Sequence, residues 1–112
     1  MWREIIDHAL DEETVKAEAE QLEWIAREPE NARPYYHLAQ IRRMQWKEDE
    51  GLALLLHAVH LDSSLAEAHA ALAQMYAVRA DYAAAWRHAR AAEASGNGRG
   101  IELLLRHGIV EA

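Results

Sequence analysis

Residues 32–65, ARPYYHLAQIRRMQWKEDEGLALLLHAVHLDSSL, and residues 66–98, AEAHAALAQMYAVRADYAAAWRHARAAEASGNG, decide the fold of this 112-residue chain. Identical residues coincide when the sequence is shifted by 34 positions: Ala32 with Ala66, Leu38 with Leu72, Ala39 with Ala73, Gln40 with Gln74, and Ala58 with Ala92. Self-similarity at such a period is the signature of stacked structural repeats. The two segments therefore predict two copies of one supersecondary unit.

Helices are the expected elements throughout, because alanine, leucine and glutamate dominate while glycine numbers 5 and proline 2. Apolar residues at helical spacing predict about seven helices with short links, which favours antiparallel neighbours. The first helix carries Trp2, Ile5, Ile6, Ala9 and Leu10. A second helix starts at Asp11 as an N-cap and ends before Pro29, with Val15, Ala19, Leu22 and either Ile25 or Ala26 facing inward.

The remaining helices have recognisable start and stop signals. Asn31 and Pro34 open the third, Glu48 lies near the start of the fourth, and Asp81 precedes the sixth. Ser64 followed by Glu67 predicts a capping box at the start of the fifth. The sequence Ser95-Gly96-Asn97-Gly98 predicts a left-handed end to the sixth helix, and Gly108 ends the seventh, which begins at about Gly100.

Small residues recur where the two helices of each unit are expected to cross. These positions are Ala39, Gly51 and Ala58 in the first unit, and Ala73, Ala85 and Ala92 in the second. Two helices can approach closely only where the contact residues are small. Glycine inside a helix costs about 1 kcal/mol relative to alanine, so close packing is a natural reason for Gly51.

This pattern resembles the tetratricopeptide repeat (TPR) family, whose 34-residue unit asks for W-x-x-L-G-x-x-Y in one helix and A-x-x-x-F in the next. The first unit offers Tyr35, Leu38, Ala39 and Arg42, then Gly51 and Leu55; the second offers His69, Leu72, Ala73 and Tyr76, then Ala85 and Ala89. The resemblance implies one all-α domain of antiparallel helical hairpins stacked as a short right-handed superhelix. Within it, residues 1–31 form a diverged N-terminal unit or cap, 32–65 and 66–98 are repeats, and 99–112 form a C-terminal capping helix.

The resemblance also implies a non-enzymatic protein that binds a peptide or helix of a partner in a concave groove. The groove positions carried over from the family are Arg33, Tyr36, His37, Gln40 and Arg43 in one repeat, and Glu67, Ala70, Ala71, Gln74 and Ala77 in the next. The family's carboxylate-clamping set is not reproduced, because Tyr36, Gln40 and Ala71 stand at its positions. Arg33 and Arg43 could still favour an acidic segment through charge-assisted hydrogen bonds.

Charge and composition exclude several other classes. The net charge is −7, and residues 1–31 hold ten acidic against three basic side chains, whereas the rest of the chain is balanced. An acidic chain without a basic stripe is repelled by phosphate backbones, so a nucleic-acid partner is not expected. The absence of cysteine excludes disulfides and thiolate chemistry. No run approaches membrane-spanning length, and together these features predict a cytoplasmic protein.

Two alternative functions stay open at the level of sequence. His57 and His60, joined by His69 or His88, are the minimum for a metal site, although no H-E-x-x-H motif occurs. The four tryptophans, Trp2, Trp24, Trp46 and Trp86, could anchor self-association, because an exposed indole is a favoured contact. No nucleophile and base pair or phosphate-binding glycine loop is found, so we expect no catalytic residue, no cofactor and no metal.

Overall fold

The computed structural model describes the backbone of residues 2–111 and the side chains of residues 11–111. Over this range the chain is all-helical, without strands, as predicted. The helices are α1 (Trp2–Arg27), α2 (Ala32–Met44), α3 (Glu48–Leu61), α4 (Ala66–Val78), α5 (Tyr82–Ala94) and α6 (Arg99–Arg106). None of the helices in the described range is both long and apolar enough to cross a bilayer.

The first two predicted helices are one continuous helix, so six helices rather than seven are found in the described residues. Asp11 does not cap a new helix; it lies inside α1, which continues to Arg27. The residues around Asp11 include no glycine or proline, so nothing in the local sequence interrupts the backbone hydrogen bonds. The predicted apolar stripe on Trp2, Ile5, Ile6, Ala9 and Leu10 lies outside the described side chains.

Consecutive helices pack against each other in pairs along the chain, and α4 also packs against α6. The links between helices are only three or four residues long. Links this short reverse the direction of the chain, so neighbouring helices are antiparallel. Helices α2, α4 and α6 therefore run the same way and begin at the same edge of the molecule.

The turns after α2 and α4 have the same geometry at positions 34 residues apart. Trp46 and Ala80 adopt left-handed φ angles of 62° and 63°. The next residue in each turn, Lys47 or Asp81, donates its backbone N–H to the carbonyl of Arg42 or Tyr76 at 2.8 and 2.9 Å. In each turn the left-handed residue also donates its N–H, to the carbonyl of Arg43 or Ala77 at 3.0 Å, and the two hydrogen bonds of each turn form a Schellman motif. The sequence period of 34 residues is thus repeated in the backbone.

The links that lead into α2, α4 and α6 share a side-chain to backbone hydrogen bond. The side-chain oxygens of Asn31, Asp62 and Asn97 each accept a hydrogen bond from the backbone N–H two residues later, at 2.9–3.0 Å. These Asx turns direct the chain into the following helix. The capping box predicted at Ser64 is wrong: the Ser64 hydroxyl donates to Asp62 at 2.6 Å, and Leu65 precedes the helix without a side-chain cap.

The predicted crossing positions are all buried. Ala39, Ala58, Ala73, Ala85 and Ala92 are at most 1% exposed. A Cβ placed on Gly51 would lie 3.2 Å from the carbonyl oxygen of Ala39 and 2.8 Å from Cγ of Arg43. Helix α3 thus approaches the backbone of α2 at a distance that only glycine allows, as the sequence predicts.

Helix α1 packs on α2 through a face that sequence analysis did not select. Val15, Ala19 and Leu22, predicted to face inward, are exposed. The Glu18 carboxylate instead lies 3.1 Å from Nη1 of Arg42 and accepts a hydrogen bond from Gln45 at 3.0 Å. These polar partners on α2 hold α1 in an orientation that turns its apolar stripe to solvent.

Candidate functional site

A groove of about 510 Å³ opens on the side of the molecule formed by the alternate helices α2, α4 and α6. Helix α2 contributes Tyr36, Gln40 and Arg43, and α4 contributes Glu67, Ala70, Ala71 and Gln74. The last link and α6 add Asn97, Arg99, Gly100, Glu102, Leu103 and Arg106. Because these helices share one direction, their starts meet at one end of the groove and their ends at the other.

Small residues form the floor of the groove. Ala70 and Ala71 lie on α4, and Gly100 follows on α6, where an added Cβ would lie 3.3 Å from Cβ of Ala89 and 3.4 Å from Cβ of Ala73. Helix α6 therefore approaches α4 closely at Gly100, and Leu103 is the long aliphatic side chain that α6 adds to the lining. The groove is left open for side chains of another molecule.

Arg43 forms part of the wall and is only partly satisfied by its neighbours. Its Nη1 donates to Oε1 of Gln40 at 3.0 Å, while its Nε lies 3.9 Å from the Glu48 carboxylate, too far for a hydrogen bond. That Nε is buried and has no hydrogen-bond partner among the described residues. A buried unsatisfied donor is costly.

The charges of the groove are divided between its two ends. Arg43 and Arg106 lie in the last turns of α2 and α6, whereas Glu67 and Glu102 lie in the first turns of α4 and α6. Arg99 begins α6 beside the two carboxylates. No described carboxylate forms a salt bridge with Arg99 or Arg106. One end of the groove is thus basic, and the other is mixed.

Seven of the ten groove residues predicted from the sequence are brought together in this groove: Tyr36, Gln40, Arg43, Glu67, Ala70, Ala71 and Gln74. Arg33 and His37 are exposed outside it, because α2 turns them towards its other sides. His37 stacks on Trp24 of α1 at 6.4 Å. Ala77 lines an adjoining hollow of about 290 Å³ with Val78, Leu104 and Ile109, which shares Gln74 and Leu103 with the groove.

Sequence analysis missed the contribution of the last helix to the groove. Residues 99–112 were interpreted as a cap, yet α6 supplies two arginines and one glutamate to the lining. One signal for it was present in the sequence: Gly100 follows Ala66 by 34 residues, as Ala66 follows Ala32. This spacing places α6 in the same role as α2 and α4.

The four histidines considered for a metal site form two separate pairs. The rings of His57 and His60 stack at 6.5 Å, and His57 meets the edge of Tyr35. His69 and His88 do not join them. Among the described residues there is no group of three His, Asp or Glu side chains close enough to hold a metal ion.

His69 and His88 are joined by a hydrogen bond of 3.0 Å between their Nδ1 atoms. Nε2 of His69 lies 2.9 Å from the Ser63 carbonyl, which can only accept, so Nδ1 of His69 carries the lone pair and His88 donates to it. Burial, with smaller contributions from His69 and Arg87, lowers the pKa of His88 from 6.5 to about 4. The pair therefore ties α4 to α5 in its neutral form.

The tryptophans differ in their surroundings. Trp86 is 4% exposed in the core, and Trp24 is partly buried and donates to Glu28 at 2.7 Å. Trp46, at the tip of the turn after α2, is 88% exposed. The side chain of Trp2 lies outside the described residues.

Comparison with known proteins gives no relative: no family model matches the chain, no curated protein is similar to it, and no solved structure matches it.

Proposed function

We propose that this chain is a non-enzymatic protein-interaction module of the tetratricopeptide type, which binds a segment of a partner protein in the groove of α2, α4 and α6. In this proposal the helical hairpins continue the right-handed stack of that family. The protein acts in the cytoplasm, consistent with a chain that has no cysteine.

The repeated backbone geometry supports this family assignment. The Schellman turns at Trp46 and Ala80, and the buried small residues at each crossing, recur at the family's period. The three Asx turns place the start of every second helix at one edge. Repeats joined in this way present their first helices along a single face.

The observation that carries the functional proposal is the open groove itself. It combines a floor of small residues with hydrogen-bonding groups from three helices and guanidinium groups at its edge. Such a lining offers main-chain and side-chain recognition to an extended or helical segment. Arg43 contributes a partly exposed guanidinium group.

An array of immobilised peptides of varied charge and hydrophobicity tests this proposal. We expect the wild-type chain to retain a subset of the peptides, and Tyr36→Ala and Gln74→Ala to weaken that binding about tenfold or more, as expected for central contacts. Both residues line the groove; Gln74 is exposed, and Tyr36 is partly buried with one side packed against the core.

Arg87→Glu is the control, because Arg87 is exposed on α5 and does not line the groove. It should bind the same peptides as wild type. If Tyr36→Ala and Gln74→Ala also leave every retained peptide bound, while circular dichroism shows unchanged helicity, the groove is not the binding surface and the proposal fails.

A further inference from the structure

Helix α1 carries an apolar face that no other helix covers. Val15, Ala19, Leu22 and Ala26 are spaced at i, i+4, i+7 and i+11, and all four are exposed; Val15 is 63% and Leu22 46% exposed. This spacing puts them on one stripe of the helix. The stripe has the pattern of a helix that anchors in a groove of another molecule.

The stripe fits the groove in length. From Val15 to Ala26 it covers twelve residues, about 17 Å of helix at 1.5 Å per residue. The central groove helix, α4, has 13 residues and is about 20 Å long. A helix lying along α4 would thus keep its whole apolar stripe within the length of α4, with Ala70 and Ala71 near the middle.

The charges of the two surfaces are complementary at the basic end of the groove. Asp11 lies at the N-terminal end of the stripe, and Arg27 follows its C-terminal end. The groove has Arg43 and Arg106 at one end and Glu67 with Glu102 at the other. An antiparallel arrangement on α4 places Asp11 and its acidic neighbours against Arg43 and Arg106. It places Arg27 and Glu28 at the mixed end of the groove and pairs the helix dipoles favourably.

We propose that the groove of one copy of this chain binds the exposed face of α1 from a second copy, antiparallel to α4. The inference rests on the proposed function of the groove and names its occupant. The two surfaces lie on different parts of the same chain, so the contact is heterologous: each copy offers one groove and one α1 face. Association therefore continues from copy to copy, or closes into a ring.

The molar mass of the 112-residue chain, measured by sedimentation over a range of concentrations, tests this proposal. We expect the mass of the wild type to rise above that of a monomer and to fall again as salt is added, because the end contacts are charge pairs. Val15→Glu combined with Leu22→Glu removes the apolar stripe. Ala70→Glu combined with Arg106→Glu obstructs the groove and reverses its basic end. Each double variant should weaken self-association about tenfold or more.

Mixing the two double variants gives the sharpest result. The α1 variant keeps an intact groove and the groove variant keeps an intact α1, so together they should form a one-to-one dimer that neither forms alone. Val110→Glu is the control, because it makes a similar exposed apolar-to-acid change at a residue 82% exposed outside both surfaces. It should associate like wild type.

A wild-type chain that stays monomeric at every concentration overturns the proposal, as does self-association that survives both double variants. A mixture that stays monomeric also overturns it, provided that both variants keep wild-type helicity and melting behaviour. If the peptide array shows groove-dependent binding while wild type is monomeric, the groove still binds a partner and only this occupant is wrong. If the array also shows none, both proposals fail.

Discussion

Gly51 has no side chain, and the space that a side chain would need is already filled by α2. A Cβ there would lie 3.2 Å from a backbone oxygen of Ala39, which cannot move independently of its helix. We expect Gly51→Val to lower the free energy of unfolding by about 2 kcal/mol, because overpacking outweighs the small gain in helix propensity. Urea denaturation measures this change.

Ala53→Val, on the exposed side of the same helix, should change the stability by less than about 1 kcal/mol. Equal effects of the two substitutions would contradict the close approach of α2 and α3.

Trp46 occupies a backbone conformation that favours glycine, with φ at 62°, and its side chain is 88% exposed. The left-handed region costs a side chain about 1 kcal/mol relative to glycine. We therefore expect Trp46→Gly to raise the free energy of unfolding by about 1 kcal/mol, measured by thermal melting. Ala80→Gly, at the equivalent turn, should give a gain of similar size. A loss of stability in Trp46→Gly would show that the indole makes stabilising contacts within the chain.

The burial of His88 makes stability depend on pH. His88 has a pKa of about 4 in the folded chain and about 6.5 when unfolded, so the unfolded state takes up a proton first as the pH falls. Stability is fully present above pH 6.5 and declines towards pH 4. The loss should be about 1 to 2 kcal/mol, since His88 is only half-buried and solvent screens part of the effect.

His88→Gln isolates this contribution, because glutamine has no proton to gain in this range. Denaturation curves at several pH values should show a smaller decline between pH 6.5 and 4.5 in His88→Gln than in wild type. An identical decline in the two proteins would assign the pH dependence to other groups.

At the scale of elements, the sequence predicted helices well where a specific backbone signal marks their ends. Asn31, Asp81 and Gly96 cap or end helices as expected, because each acts on its own neighbours along the chain. The capping box predicted at Ser64 is wrong because a second polar side chain competes for the serine: Asp62, two residues earlier, accepts the hydrogen bond from the Ser64 hydroxyl. Competition between two capping side chains is decided by geometry that a sequence pattern does not contain.

The orientation of α1 could not be predicted from its own residues. Its apolar stripe suggests one inward face, but Arg42 and Gln45 of α2 select another by binding Glu18. Hydrogen bonds from Gln45 and then Arg42 hold the pKa of Glu18 below its usual range. Hydrophobic periodicity within one helix cannot predict a polar partner on a neighbouring helix.

Arg42 is the side chain on which the docking of α1 depends most. It lies 3.1 Å from Glu18 of α1 and 3.3 Å from Glu50 of α3, and it donates to Gln45. We expect Arg42→Met to lower stability by about 1 to 3 kcal/mol and to raise the rate of amide hydrogen exchange in residues 14–27 selectively. Arg79→Met removes a more exposed ion pair, with Asp49, and should leave exchange in α1 unchanged. Uniform acceleration of exchange over all helices in Arg42→Met would contradict this local role.

At the scale of the whole molecule, the repeat period predicted paired helices, and in the structure α2, α4 and α6 line one groove. That is why seven of the ten predicted groove residues lie together. The arginines of α6 were missed because the last helix was assigned a capping role. They line the same groove as Arg43 because α6 packs against α4. The uncovered face of α1 was missed because its orientation depends on contacts with another helix.

The location of a bound segment on the folded chain tests the account most directly. Backbone amide chemical shifts, recorded by NMR while the best-binding peptide from the array is added, give that location residue by residue. The account predicts that the changes concentrate on Tyr36, Gln40, Ala70, Gln74 and Leu103, along the groove side of α2, α4 and α6. Changes concentrated on α3 and α5, or around the exposed turn at Trp46, would contradict it.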